Sequence, residues 1–379
     1  MTMSMESVEK IADVVLYEGY LLYPYRRSAL KNQQRWTFGG VYPRHYSEES
    51  GGDDPWSMQT QCLVVGAASE ATIEVKVRFL HVVDRRVAAR TTDPAIEPSP
   101  ADGAPPRGYR FVEELRVGGQ VYQPWEEAMG REVVVGSMRL DDLIARGRSC
   151  AIDVPPGSAE EPLCDPAGAV AGALVRAWQT LRGTVEIAAE PLATDGAGVA
   201  PAGTGYRLTV RIVNTTPWTP PCGDSVERPR QTALRHTFVS THTILRVQGG
   251  DFVSLLEPPP EYQEAAEGCA NVKTWPVLVG DPAGDPARGA GQILLSSPII
   301  LYDYPQIAPE TPGDLFETTE IDELLTLSIL TLTDEEKREM RESDVRGREI
   351  LERTEALTSE QLMKMHGAIR GLQPVRKEE

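Results

Sequence analysis

Local catalytic signatures are absent from this sequence. It contains no P-loop pattern G-x-x-x-x-G-K-[ST] and no G-x-G-x-x-G that follows a strand and opens a helix. It also has no G-x-S-x-G nucleophile elbow, and no histidine is placed by a local pattern as the base of a serine nucleophile. These absences argue against the two familiar kinds of nucleotide site and against a serine hydrolase of the elbow type.

Cysteine is scarce and unpatterned. The five cysteines are widely spaced, and no two form a C-x-x-C pair; they are Cys62, Cys150, Cys164, Cys222 and Cys269. A zinc ribbon or a redox dithiol is therefore not expected, and an odd number of cysteines in a chain of this size favours reduced thiols. The first residues lack the basic and apolar regions of a secretory signal. We expect a cytoplasmic protein.

Positive charge and long apolar runs are also in short supply. Lys and Arg number 38 against 56 Asp and Glu, which gives a net charge of −18. Such a charge repels phosphate backbones, so we expect no nucleic-acid partner. The best basic cluster is short and comprises Arg26, Arg27, Lys31 and Arg35. No apolar run approaches the roughly 20 residues that span a bilayer, so we expect no membrane span.

The sequence is rich in alternating apolar segments. Ile73, Val75, Val77 and Phe79 fall on one face of a period-two pattern, which predicts a half-buried strand. Several similar segments are separated by turns, of which Gly118-Gly119 is typical of a hairpin. Apolar residues make up 41% of the chain, enough for a substantial core. We therefore predict a mainly β (α+β) protein, with an antiparallel β-sandwich or barrel-like body.

One interior helix is predicted near residues 166–182. Val170, Leu174, Trp178 and Leu181 are spaced four, four and three apart, as in the apolar stripe of a helix. This helix would link two β subdomains if the body, residues 1–312, is divided. After Pro312-Gly313, capping-box patterns begin at positions 319, 333 and 358, which predicts a helical C-terminal segment over residues 313–379.

Candidate site residues are few, and each has a simpler structural explanation. Asp303, Glu310 and Asp314 follow an apolar strand predicted over residues 293–302 and provide carboxylates for acid–base or metal chemistry. His236 and His242 would share one strand face, but an offset of six residues places them about 20 Å apart, too far for one ion. Both sets are also typical of an acidic loop and a strand surface.

Partner-binding candidates are more numerous. The predicted C-terminal helix carries Leu362, Met365 and Ile369 on one stripe, which could enter a partner's groove or pack on its own body. Tryptophans such as Trp125 and Trp275 lie beside prolines, a pattern typical of sandwich corners and also of exposed aromatic patches.

Four segments resemble an uncharacterised family of accessory proteins associated with actinobacterial-type nickel–iron hydrogenase gene clusters. They lie at both ends and in the middle of the chain, at residues 15–26, 112–128, 240–259 and 296–337. The first reads VLYEGYLLYPYR and the second VEELRVGGQVYQPWEEA. The resemblance implies a cytoplasmic accessory protein in hydrogenase assembly or maturation, with hydrogenase subunits or maturation factors as partners. It brings no catalytic residues.

Two hypotheses follow from the sequence. The first is a non-enzymatic accessory or scaffold protein that binds other proteins and needs no cofactor. The second is a hydrolase or metal-dependent enzyme that uses the carboxylates after the strand predicted over residues 293–302. Metal delivery is a third possibility, although the chain contains no histidine-rich tract.

Overall fold

The structure is a computed structural model of the 379-residue chain. It describes residues 8, 9, 11–13, 16, 38–51, 53–91, 105–192, 205–220, 229–280 and 291–305, and residues 334, 337, 338, 341, 351, 352 and 355. The chain divides into two compact units, one of Met1–Leu21 with Arg35–Gln306, the other of Leu22–Gln34 with Ile307–Glu379. The division falls a few residues before the predicted boundary at Pro312-Gly313.

The first unit is built almost entirely of strands. In chain order these are β1 (Ser57–Gly66), β2 (Thr72–Arg90), β3 (Tyr109–Val112), β4 (Leu115–Val117), β5 (Gln120–Tyr122), β6 (Trp125–Arg139), β7 (Arg148–Val154), β8 (Gly157–Cys164), β9 (Val170–Trp178), β10 (Leu181–Pro191), β11 (Gly205–Asn214), β12 (Val239–Gln248), β13 (Gly250–Val253), β14 (Trp275–Val279) and β15 (Ile293–Ser297). The short helices are α1 (Arg44–Glu49), α2 (Leu140–Arg146), α3 (Pro229–Leu234) and α4 (Gln263–Glu267).

The strands form two packed sheets and a small hairpin. The smaller sheet has the order β13-β1-β11-β10-β7, and the larger has the order β14-β15-β12-β2-β9-β8, with β3 and β6 also paired to β2. Every strand pairing among the described residues is antiparallel. The inner faces of both sheets contribute to one buried cluster, and the prediction of a mainly β body with antiparallel sheets is confirmed.

The alternating segments occupy the positions that their period predicts. Ile73, Val75, Val77 and Phe79 of β2 are buried in the shared core, while the residues between them are half-buried. The Gly118-Gly119 hairpin is also confirmed. It joins β4 to β5, and its glycines have φ of 60° and 83°, as a tight turn of this hand requires.

Strand β2 has a break in its hydrogen bonding that positions the candidate site. Along one edge it pairs with β6 from Thr72 to Arg85. Along the other edge it pairs first with β12, as far as Leu80, and then with β9 from Asp84 onward. His81, Val82 and Val83 therefore have no ladder partner on that edge within the described ranges.

The predicted helix near residues 166–182 is wrong. The segment forms β9 and is paired on one side with β2 and on the other with β8. Residues spaced by four share a face in a strand as well as in a helix, so Val170, Leu174 and Trp178 fit either structure. Gly172 lets β9 approach β2 closely, because a Cβ there would lie 2.6 Å from the Ala88 carbonyl oxygen.

Two other predicted boundaries shift. The strand expected over residues 293–302 ends at Ser297, because Pro298 has no N–H to continue the ladder. His236 is not in a strand, since β12 begins at Val239 and has an irregular register between Val239 and His242.

Most of the C-terminal segment lies outside the described residues. The seven described positions from 334 to 355 are helical. Among them, Lys337 Nζ lies 3.5 Å from a carboxylate oxygen of Glu355, and Arg341 also pairs with that residue. None of the helices in the described part of the chain is long and apolar enough to cross a membrane.

Candidate functional site: a groove and a seam on the large sheet

Charged side chains lie on the outer face of the large sheet, in the second half of β2. Val87 packs in a small apolar cluster with residues of the β4–β5 hairpin, so it points to the face that the hairpin covers. Successive side chains of a strand point to opposite faces. Asp84 and Arg86 therefore point to the opposite face. On this face, Leu80 and Val82 are covered by α1 and α3, so Asp84 and Arg86 lie where that cover ends.

Two adjoining recesses form a groove at this place. One has a volume of about 260 Å³ and is bounded by the start of β8 and the end of β9, including Ser158 and Trp178. The other has a volume of about 500 Å³ and is bounded by β3, including Phe111. Both recesses are lined by Asp84, Arg86 and Arg235. We call this surface the groove.

Ion pairs hold both arginines of the groove in place. Arg86 Nε lies 3.0 Å from Asp84 Oδ2, and the Arg86 guanidinium lies 4.5 Å from the centre of the Phe111 ring. Arg235 Nη2 lies 3.4 Å from Glu126 Oε1. The two Nη groups of Arg86 have no protein partner within the described residues. They therefore present a planar donor fork to a ligand in the groove.

Trp178 forms one wall of the groove. Its indole N–H donates to the Pro155 carbonyl at 3.2 Å, which fixes the ring. Gly157 lets β8 approach the ring closely, because a Cβ there would lie 2.6 Å from an indole carbon. The groove therefore has an aromatic surface at each end, Phe111 on one side and Trp178 on the other.

The gap in the β2 ladder is filled by two connecting segments. Residues 179–180 carry the chain from β9 in the large sheet to β10 in the small sheet, and residues 235–238 lead from α3 into β12. We call the region formed by His81, residues 179–180 and residues 235–238 the seam. It adjoins the groove, because Gln179 and Arg235 belong to the lining of the smaller recess.

Two histidines meet at the seam. His81 is fully buried, and neither of its ring nitrogens has a hydrogen-bond partner. The carbonyls of Gln179 and Thr180 face His81 and His236 respectively, but they lie beyond hydrogen-bond geometry. Nδ1 of His236 is likewise buried and without a partner.

The electrostatics of the seam favour neutral imidazoles. Burial, followed by the positive charge of Arg131, lowers the pKa of His81 to about 4. Burial and the nearby Arg235 also lower the pKa of His236. The two rings are therefore uncharged at neutral pH, and protonating either one would require compensating negative charge.

Arg131 completes this cluster from β6. It lies opposite Phe79 in the ladder, and its guanidinium lies 5.7 Å from the centre of the Trp178 ring. Its Nε and Nη2 are buried and make no hydrogen bond. Arg131 makes no ion pair with any described residue, in contrast to its neighbours Arg85 and Arg176, which share Glu127.

Asp303 is fastened to the edge of β14. Its Oδ2 accepts a hydrogen bond from Ser254 Oγ at 2.5 Å, and its Oδ1 accepts one from the Leu278 N–H at 2.7 Å. The next residue, Tyr304, donates its N–H to the Leu278 carbonyl. Because both carboxylate oxygens are used in this way, the arrangement favours a structural role. Glu310 and Asp314 lie outside the described residues.

Asp251 is an acidic residue in this region that the sequence analysis did not single out. Its Oδ1 is buried without a hydrogen-bond partner, and burial raises the pKa of its carboxyl group. Tyr304 lies nearby, with its pKa raised by burial and by the charges of Asp303 and Asp251. The pair could exchange a proton with a bound group.

His242 does not lie beside His236. It is fully buried within β12, and its Nδ1 lies 3.2 Å from the Ser240 carbonyl oxygen. Within the part of the chain that the structure describes, no group of three or more His, Cys, Asp or Glu side chains is arranged to hold a metal. The four described cysteines are free thiols.

The partner-binding candidates differ in exposure. Trp275 is 42% exposed at the start of β14, whereas Trp125 is half-buried at the start of β6. Leu362, Met365 and Ile369 lie outside the described residues.

Among the groove and seam residues, the sequence signals were the charged run Asp84-Arg85-Arg86 within an apolar segment and the single His81 among apolar neighbours.

No protein-family model matches this sequence, and no curated protein matches it either. Function must therefore be argued from the residues of the groove and the seam themselves.

Proposed function

We propose that this chain is a non-enzymatic accessory protein whose β body binds another protein through the groove. The observation that carries the proposal is the open donor fork of Arg86, held between Asp84 and the Phe111 ring. Such a fork binds a carboxylate through two hydrogen bonds. The partner segment would present an acidic side chain or a chain terminus to Arg86 and an apolar group to Phe111 or Trp178.

The charge balance of the groove supports a protein partner. Its arginines alternate with carboxylates, including Asp84 and Glu126, so the surface favours a ligand of mixed charge over a polyanion. Aromatic residues at both ends supply the kind of contact that dominates protein interfaces. The resemblance of the sequence to the hydrogenase-associated family makes hydrogenase subunits and maturation factors the first partners to test.

The test is quantitative co-purification from native cells with mass spectrometry. We compare the wild type with Arg86→Ala, and we use Arg110→Ala as the control because Arg110 is an exposed arginine on the adjacent strand β3. Loss of a charge-assisted pair of hydrogen bonds should reduce recovery of the partner about tenfold or more. Arg110→Ala should recover the partner at the wild-type level.

Two results would overturn this proposal. One is a wild-type protein that recovers no stable partner, and the other is a partner retained equally by Arg86→Ala. Thermal unfolding of each variant shows whether the body remains folded. Because Arg86 lies on a partly exposed face, its replacement should leave the fold intact.

A second candidate function is favoured by Asp251. A half-buried carboxyl group with a raised pKa beside Tyr304 is an environment that suits a general acid, as in a hydrolase or a metal-dependent enzyme. Turnover of generic ester or phosphoester substrates that is lost in Asp251→Asn would support this candidate. Turnover that persists in Asp251→Asn, or its absence from the wild type, would count against it.

A further inference from the structure

Beside the seam, the guanidinium of Arg131 carries a positive charge that no carboxylate among the described residues balances, although the arginines around it form ion pairs. Arg85 and Arg176 share Glu127 at 2.9 and 2.6 Å, and Arg235 faces Glu126. Arg131, on the same strand as these carboxylates, faces neither of them in an ion pair. A guanidinium with two buried nitrogens and no acceptor is costly, so an acceptor from outside the protein would stabilise it.

The histidines of the seam provide further unused hydrogen-bonding capacity. His81 is fully buried with both nitrogens unpartnered, and His236 has an unpartnered buried Nδ1. A metal cation is a poor occupant here, because Arg131 would repel it and the described ranges contain no cluster of three ligating side chains. An anion is attracted by Arg131 and can accept hydrogen bonds from all three side chains.

We propose that Arg131, His81 and His236 form a binding site for a small oxyanion, a carboxylate or phosphate group. The site is distinct from the groove, although Trp178 touches both, since its ring lies beside Arg131 and also lines the smaller recess. This inference does not depend on the proposed protein partner.

Binding at this site is coupled to proton uptake. A bound anion favours the imidazolium form of His81 and so offsets the burial and the Arg131 charge that disfavour it. Among the described residues, the other charged groups near the seam are Arg85, Arg176, Arg235, Glu126 and Glu127, and both carboxylates are already paired with arginines. Affinity for the anion should therefore rise as pH falls from 7 toward 5.5.

The experiment is isothermal titration of the full chain with inorganic phosphate, and separately with acetate, at constant ionic strength set by chloride. Saturable binding is expected for the wild type. Arg131→Gln should weaken it about tenfold or more, because an ionised hydrogen-bond donor is removed. Arg148→Gln is the matched control, an exposed arginine on β7, and should bind as the wild type does.

The two ligands distinguish the source of the oxyanion. Binding of phosphate alone identifies a phosphate site, binding of acetate alone identifies a carboxylate site, and binding of both supports the shared chemistry. Absence of binding by either, or equal binding by Arg131→Gln, overturns the proposal.

A second measurement does not depend on the stability of the Arg131 variant. The chain has five histidines, so their imidazole C–H resonances can be followed individually by NMR. Addition of the bound anion should shift the resonances of His81 and His236 and raise their apparent pKa values, with assignment from His81→Gln and His236→Gln. Unchanged seam resonances at saturating anion would refute the site.

Discussion

The two halves of β2 have opposite characters. In the first half, apolar residues alternate into the core between the sheets, and Phe79 contacts Phe238 with ring centres 4.7 Å apart. In the second half, the same strand carries Asp84, Arg85 and Arg86, and both recesses lie there. The first half stabilises the body. The second half presents charged groups at the position where β2 stops pairing with β12 and begins to pair with β9.

The largest predicted effect tests the stabilising half. Phe79 is fully buried in the shared core, so Phe79→Ala should lower the free energy of unfolding by about 3–5 kcal/mol. Val87 is equally buried but belongs to the small cluster under the β4–β5 hairpin, and Val87→Ala should cost about 1–3 kcal/mol. Urea denaturation measures both. If Val87→Ala lowered the unfolding free energy more than Phe79→Ala, the second half of β2 would contribute more to stability than the first.

A smaller effect tests the charged half. Glu127 neutralises Arg85, whose side chain is only 8% exposed, and it also pairs with Arg176. Glu127→Gln removes this negative charge from beside the buried Arg85 guanidinium and from Arg176, so we expect a loss of about 3 kcal/mol. The control is Asp141→Asn, which removes an exposed ion pair with Arg139 and should leave the free energy of unfolding nearly unchanged.

If denaturant unfolding gave the same loss of unfolding free energy for Glu127→Gln and Asp141→Asn, the ion pairs of Glu127 would contribute no more than an exposed surface pair. The charged half would then contribute little to stability, and only its recesses would distinguish it from the first half.

Much of the sandwich could be predicted from local sequence. Alternation identified the first half of β2 and also β11, because a strand with one buried face must repeat every second residue. The Gly118-Gly119 hairpin was predictable because two residues with positive φ are needed there. Strand β9 was not, because its apolar residues are spaced by four and it is buried between two neighbouring strands.

The candidate site could not be assembled from the sequence. His81, Arg131, Gln179 and His236 come from four segments that are far apart in the chain, and only the break between β12 and β9 brings them together. No local spacing encodes such a meeting. The alternating pattern in the sequence identified only the part of β2 from Ile73 to Phe79, whereas the strand continues to Arg90 and carries Asp84 and Arg86 into the groove.

A further prediction concerns pH and compares His242, which is buried in β12, with His81 at the seam. Burial, with a smaller contribution from Arg78, lowers the pKa of His242 to about 3, and burial with Arg131 lowers that of His81 to about 4. Both values lie below the ordinary value of 6.5, so the unfolded chain binds protons that the folded chain does not. Stability is therefore full above pH 6.5 and falls as pH decreases.

Each histidine should contribute a slope of at most about 1.4 kcal/mol per pH unit. His81→Gln should flatten the pH dependence of the unfolding free energy between pH 6.5 and 4, where both histidines contribute. His242→Gln should flatten it over the same interval and also between pH 4 and 3, where His81 is already protonated in the folded chain. Identical profiles for the two variants below pH 4 would mean that protonation of His81 at the seam is disfavoured as strongly as protonation of the fully buried His242 in β12.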